Sequence, residues 1–173
     1  MSALQSLNIL LVDDNQHMRA ITSAILQSAG IRKIREVSDG AAALECMRDH
    51  PVDLAIVDFN MFPLDGVEFT RLVRNSPDSV NPYLPIIMMT GHSEKSRVFE
   101  ARDAGVTEFV VKPITAKAIF DRIQACIVRP RPFVKTESYF GPDRRRTDTT
   151  NYRGPLRRST DQPREESGDS SAA

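Results

Sequence analysis

Between residues 7 and 128, short apolar runs alternate with stretches whose apolar residues fall three or four apart. The runs cover 7–12, 33–37, 54–57, 86–89 and 108–111. Solid apolar runs of that length suit strands covered on both faces, and the more polar 33–37 suits a sheet edge. The intervening stretches read as helices. Asn15 is placed to cap the first, with Met18, Ile21, Ile25 and Ala29 on its buried stripe and Gly30 closing it. Ser38 or Asp39 caps a second helix over 41–49, which Pro51 stops. A third spans 67–74, and a polar loop over 75–85 follows. Ser93 caps a fourth, with Val98, Ala101 and Ala104 inward and Gly105 at its end. Thr115 caps a fifth, with Ile119, Ile123 and Ile127 in register. Such strand–helix alternation predicts an α/β fold of five βα units around a doubly wound parallel sheet.

Polar residues gather where the apolar runs end. Asp13 and Asp14 follow the first run, Asp58 the third, Thr90 the fourth and Lys112-Pro113 the fifth. In open α/β sheets, ligands bind beyond the carboxyl ends of the strands, where the strand order reverses. The second run ends without such a residue, which fits an outer strand in the order 2-1-3-4-5. Taken singly, each feature has a plain reading: paired carboxylates cap the next helix, a lone aspartate sits in a turn, Lys-Pro marks a loop. Taken together, three converging carboxylates would repel one another and rise in pKa unless a cation lay between them. Mg2+ takes one or two carboxylates together with water and phosphate oxygens. Asp58 would then stay ionised and able to act as a carboxylate nucleophile. Lys112 brings the positive charge a phosphoryl group needs, and Thr90 a hydroxyl donor.

The segments ILLVDDN (9–15), VDFNMFPLDG (57–66), MMTGH (88–92) and FVVKP (109–113) stand in the order and spacing of bacterial response-regulator receiver domains. Over about residues 5–128 the chain resembles that family. The resemblance implies a flavodoxin-like (βα)5 fold and a phosphoacceptor of two-component signalling, not an enzyme. By it, Asp58 accepts a phosphoryl group from a phosphohistidine on a sensor histidine kinase or phosphotransfer protein. Asp14, Asp58 and the main-chain carbonyl of Asn60 bind Mg2+, with Asp13 acting mainly through water. Lys112 pairs with the phosphoryl oxygens and Thr90 moves to hydrogen-bond one of them. Phe109 turns inward as the face made by helix four, strand five and helix five is remodelled for a partner, although it also reads as a plain core aromatic. The chain departs from the family in having Phe62, then Pro63, where a proline is frequent four residues after the acceptor. It also has Phe109 where tyrosine is frequent, so no phenol hydroxyl is present there. Asn60 and His92 flank the site at positions that modulate hydrolysis of the phosphoaspartate. His92 reads either as a pH-sensitive modulator or as a solvated loop histidine. The competing chemistry, an Mg2+-dependent aspartyl phosphatase, wants a second carboxylate two residues after the nucleophile, where Asn60 stands.

Composition narrows the picture further. The 173 residues suffice for one domain and some surplus, and 23 basic residues balance 23 acidic ones. Residues 1–128 hold 13 Lys/Arg and 16 Asp/Glu, a net of −3, while 129–173 hold 10 and 7, a net of +3. The N-terminus lacks a basic leader, and no run approaches the ~18 apolar residues of a membrane span, so a cytoplasmic location is expected. Cys46 and Cys126 lie far apart on helical stripes and read as buried reduced thiols. A receiver domain is expected over 1–128 and a largely disordered tail over 129–173, which holds five of the eleven prolines and few aliphatic residues. The tail shows no helix-turn-helix pattern or heptads, which argues against a DNA-binding output. It does contain SYFGPDRRR (138–146) and YRGPLRRS (152–159), and a similar YxGPDRRR pattern occurs on some single-domain receivers. One reading is a solvated linker; another is a docking motif with Tyr139 and Phe140 as anchors and Arg144, Arg145 and Arg146 meeting carboxylates. Nucleic-acid binding ranks third, because Asp143, Asp148 and Asp161 weaken the field. The expected assembly is a monomer or a phosphorylation-dependent dimer, with an unidentified protein target.

Overall fold

A computed structural model describes residues 3–91 and 96–145. His92 and the expected cap Ser93 lie outside the described residues, as does everything after Arg145. A short 3-10 turn (Ala3–Ser6) leads into β1 (Asn8–Val12), α1 (Gln16–Ser28), β2 (Lys33–Val37), α2 (Gly40–Asp49) and β3 (Leu54–Asp58). The chain continues through α3 (Gly66–Asn75), β4 (Ile86–Thr90), α4 (Val98–Ala104), β5 (Glu108–Val111) and α5 (Ala116–Val128). A final pair of short strands, β6 (Phe133–Lys135) and β7 (Phe140–Pro142), follows. The first five strands form one parallel sheet in the order β2-β1-β3-β4-β5. The expected topology is therefore the observed one.

Successive residues of an inner strand point to opposite faces, so a sheet covered on both sides needs apolar residues throughout. In β1, Ile9 and Leu11 pack into a core with Leu26 of α1 and Ile119 and Ile123 of α5. Leu10 and Val12 enter a second core with Ala43 and Met47 of α2 and Phe69 and Val73 of α3. Strand β3 divides the same way, Leu54 and Ile56 to the first core and Ala55 and Val57 to the second. β2 is largely exposed, as an edge strand with polar residues should be.

Side-chain caps start most helices. Asn15 Oδ1 accepts from the Met18 amide at 3.1 Å, Asp39 Oδ1 from Ala42 at 2.9 Å, and Thr115 Oγ1 from Ala118 at 3.2 Å. Asp65 and Glu68 form a reciprocal capping box at the start of α3. Gly105 ends α4 with φ +106°, a conformation that favours glycine.

The first helix corrects one expectation. Its buried side chains are Thr22, Ser23 and Leu26, with Ile25 packed beside them, while Ile21 is 40% exposed. The stripe drawn through the bulkiest residues is turned away from the true contact face, which carries Thr22, Ser23 and Leu26. A further correction concerns the thiols: Cys126 is buried, but Cys46 is only half-buried.

The expectation of a largely disordered segment from residue 129 is corrected for β6 and β7. They pair as an antiparallel hairpin, Val134 opposite Gly141. The hairpin has no core of its own. Phe133 and Phe140 pack on each other and on Tyr83, with ring centroids 5.1–5.5 Å apart. The Arg74 guanidinium lies 5.0 Å from the Phe133 ring. Order here comes from a surface supplied by the rest of the chain, which local composition does not reveal.

Candidate functional site

The carboxyl ends of β1, β3, β4 and β5 bring the expected residues to one edge of the sheet. Asp13 follows β1, Asp58 is the last residue of β3, Thr90 the last of β4, and Lys112 follows β5. Backbone bonds hold this edge together: the Asp13 amide donates to the Val37 carbonyl at 3.2 Å, Phe59 to Met89 at 3.0 Å, and Lys112 to Thr90 at 2.7 Å. Lys112 and Thr90 are thereby locked side by side.

Carboxylate oxygens of Asp13, Asp14 and Asp58 all lie within 4.8 Å of one another. Asp13 is almost wholly buried; its Oδ1 accepts from the Asn15 amide at 2.8 Å, and its carbonyl accepts from Arg19 Nη1 at 2.6 Å. Its Oδ2 is buried with no hydrogen-bond partner. Asp14 is exposed. Lys112 Nζ lies 2.6 Å from Asp58 Oδ1, with Asp58 itself nearly buried. Burial pushes the Asp58 carboxyl up to about 6, against the pull of Lys112, and Asp13 adds to the rise. Burial raises Asp13 as well.

A buried oxygen without a donor, among carboxylates that burial pushes toward protonation, is the setting a hard cation relieves. The donor set of hard oxygen ligands fits Mg2+, and Lys112 alone neutralises only one of three charges. Asn60 lies in the loop just beyond Asp58 and is exposed. Thr90 is buried at the end of β4. Phe109 is half-buried against the cluster of Phe59, Val67, Met88 and Ala101. Phe62 is 85% exposed on the loop after β3, preceding a cis bond to Pro63; the Lys112-Pro113 bond is also cis.

Two supporting residues were missed from the sequence. A Cβ on Gly66 would sit 2.5 Å from the Asp58 carbonyl oxygen and 3.0 Å from Met88 Cε, so only glycine lets α3 start this close to the acceptor. The Asp-x-x-Glu spacing at 65–68 could have flagged this helix start. Arg97 stacks 4.7 Å from the Phe59 ring and reaches Asp65 at 3.5 Å, tying the start of α4 to the cap of α3. Nothing in its local sequence signals that role.

Comparison with known proteins agrees with this geometry. The response regulator receiver domain family matches residues 9–124. The chemotaxis protein CheY of Pseudomonas aeruginosa is 33% identical over 123 residues, 71% of this chain and 98% of that protein. CheY-3 of Vibrio cholerae is 30% identical over 125 residues, 72% of this chain and 95% of that protein. Among solved structures, the receiver domain of the sensor histidine kinase PA1611 from Pseudomonas aeruginosa has a magnesium ion coordinated in its active-site cleft. It shares 27% identity and a TM-score of 0.61 with this chain, covering 68% of it and 94% of that domain. No helix among the described residues is long and apolar enough to cross a membrane. A five-stranded sheet in this order, an acidic cluster at its carboxyl edge and these matches establish that the chain belongs to the response regulator receiver domain family.

Proposed function

We propose that this protein is a phosphoacceptor in which Asp58 takes a phosphoryl group from a phosphohistidine of a sensor histidine kinase or phosphotransfer protein. The observation that carries the reading is the pairing of Lys112 with Asp58 at 2.6 Å inside a three-carboxylate cluster. In the step, an Asp58 carboxylate oxygen attacks phosphorus in line, the phosphorus–nitrogen bond to the donor imidazole breaks, and the imidazole leaves with its electron pair. Asp13, Asp14, Asp58 and the Asn60 carbonyl are assigned as the Mg2+ site, with Asp13 acting mainly through water. When bound, the cation supplies positive charge to the transferring oxygens. Lys112 then shifts from the carboxylate to the phosphoryl oxygens, and the Thr90 hydroxyl donates to one of them. Phe109 and the α4–β5–α5 face report the change to a protein partner.

The protein acts by accepting and losing the group, with slow self-catalysed hydrolysis, and not as a turnover enzyme. Residues 1–128 are assigned as the receiver and 129–173 as an appended segment. Output is assigned to protein binding in the cytoplasm, by a monomer or a phosphorylation-dependent dimer. Intact-protein mass after incubation with acetyl phosphate and Mg2+ tests the assignment. A single phosphoryl adduct is expected, absent from Asp58→Asn and in EDTA; wild-type protein without an adduct refutes it.

A further inference from the structure

The β6–β7 hairpin, flanked by Arg131 and Arg144, holds α4 and the start of β5 directly and reaches α5 only through Glu108. Arg131 donates to the Thr107 carbonyl and lies 3.6 Å from Glu108 at the start of β5. Glu108, nearly buried, also faces Arg122 of α5 at 3.7 Å, and Arg122 Nε donates to the Phe109 carbonyl at 3.1 Å. Arg144 meets Asp103 of α4 at 3.1 Å while stacking 4.0 Å from the Tyr139 ring. Tyr139 in turn donates its hydroxyl to the Pro142 carbonyl at 2.8 Å. At the α4–β5 turn the two backbones touch: a Cβ on Gly141 would lie 2.9 Å from the Gly105 Cα. On the far side, Phe133 and Phe140 anchor the hairpin on Tyr83 and Arg74. A groove of about 260 Å³ beside Phe109, walled by Phe99 and Tyr139, separates hairpin and α4 near the ring.

The Arg131 and Arg144 contacts are made with one arrangement of α4 and β5, that in which Lys112 pairs with the Asp58 carboxylate. Contacts made to one of two arrangements favour that one, and the coupling acts equally in both directions. We propose that the β6–β7 hairpin is a built-in strap that favours the carboxylate arrangement of the switch, so that a phosphoryl group on Asp58 loosens the hairpin and weakening the hairpin favours the phosphoryl state. The inference rests on the phosphoacceptor reading above.

The test uses the full chain and beryllofluoride with Mg2+ as the phosphoryl mimic. Calorimetry measures its affinity for wild type and for the double variant Arg131→Ala/Arg144→Ala. Hydrogen exchange by mass spectrometry follows peptides covering 133–142 in wild type with and without the mimic. The strap requires about fivefold or more tighter binding by the variant, and about fivefold or more faster exchange in 133–142 when the mimic is bound. Gly141→Val, which wedges the hairpin off Gly105, should act in the same direction; the arginine variant stands if that one fails to fold. Unchanged or weaker affinity, or unchanged hairpin exchange, overturns the strap. If acetyl phosphate nevertheless labels Asp58, only the strap falls; if it labels nothing, the phosphoacceptor reading falls with it.

Discussion

Asp58→Asn should stabilise the metal-free protein at neutral pH while abolishing phosphorylation. Burial raises the Asp58 carboxyl from 3.8 to about 6, with Lys112 working against the rise. The folded protein therefore holds this proton more tightly than the unfolded chain. Stability from the group is complete below about 3.8 and is lost as pH rises through about 6. A difference of that size corresponds to about 3 kcal/mol by the usual conversion of pKa shift to free energy. The asparagine removes this titration but leaves Lys112 without its carboxylate. Because the Lys112 side chain is 28% exposed, water recovers much of its solvation. The net gain expected in EDTA near neutral pH is about 1–3 kcal/mol, shrinking toward zero at about pH 4. Urea denaturation followed by circular dichroism at both pH values measures it. Mg2+ at about ten times its Kd should raise wild-type stability by about 1.4 kcal/mol and do less for the variant. Parallel pH profiles for the two proteins in EDTA would refute the reasoning, since they would mean that Asp58 carries no desolvation cost.

Gly66→Ala should disturb the acceptor without touching its carboxylate. The new methyl would press on the Asp58 carbonyl at 2.5 Å, and a loss of about 2 kcal/mol or more in urea denaturation is expected, with slower labelling by acetyl phosphate. Arg74→Met should cost about 2–4 kcal/mol, because the buried guanidinium donates to the Gly105 carbonyl at 3.0 Å and the Pro82 carbonyl at 2.8 Å, and both lose their donor. Burial lowers Arg74 to about 10, so this loss should be constant from acid to neutral pH. Burial pushes the Cys126 thiol up to about 12. An alkylating reagent at mildly alkaline pH should therefore modify Cys46 first, with Cys126 reacting only after urea unfolding. Stability from the Cys126 proton is intact below its ordinary 9.0 and is lost as pH rises toward 12.

Local rules carried much of the site. The five strands were legible because apolar runs of strand length alternate with helical periods, and each candidate residue was legible because it ends a run. Asp39 and Thr115 cap their helices through bonds that span only three residues, which is why sequence alone points to them. Convergence of the end-of-run residues follows from topology: parallel strands joined by helices must place their carboxyl ends on one edge.

The tertiary structure decided what depends on neighbours distant in sequence. It turned α1 so that Thr22 and Leu26 face the sheet and Ile21 faces water, because a helix face is chosen by the surface it meets as well as by its own bulk. It set Lys112 on Asp58 across β4, a separation of 54 positions along the chain. It also ordered the β6–β7 hairpin, which is too poor in aliphatic residues to fold alone but finds aromatic and cationic partners on Tyr83 and Arg74. Periodicity and capping are short-range properties of the backbone, and so they are written in consecutive residues. Burial and ion pairing are properties of two surfaces at once, and only the folded chain brings the second surface into place.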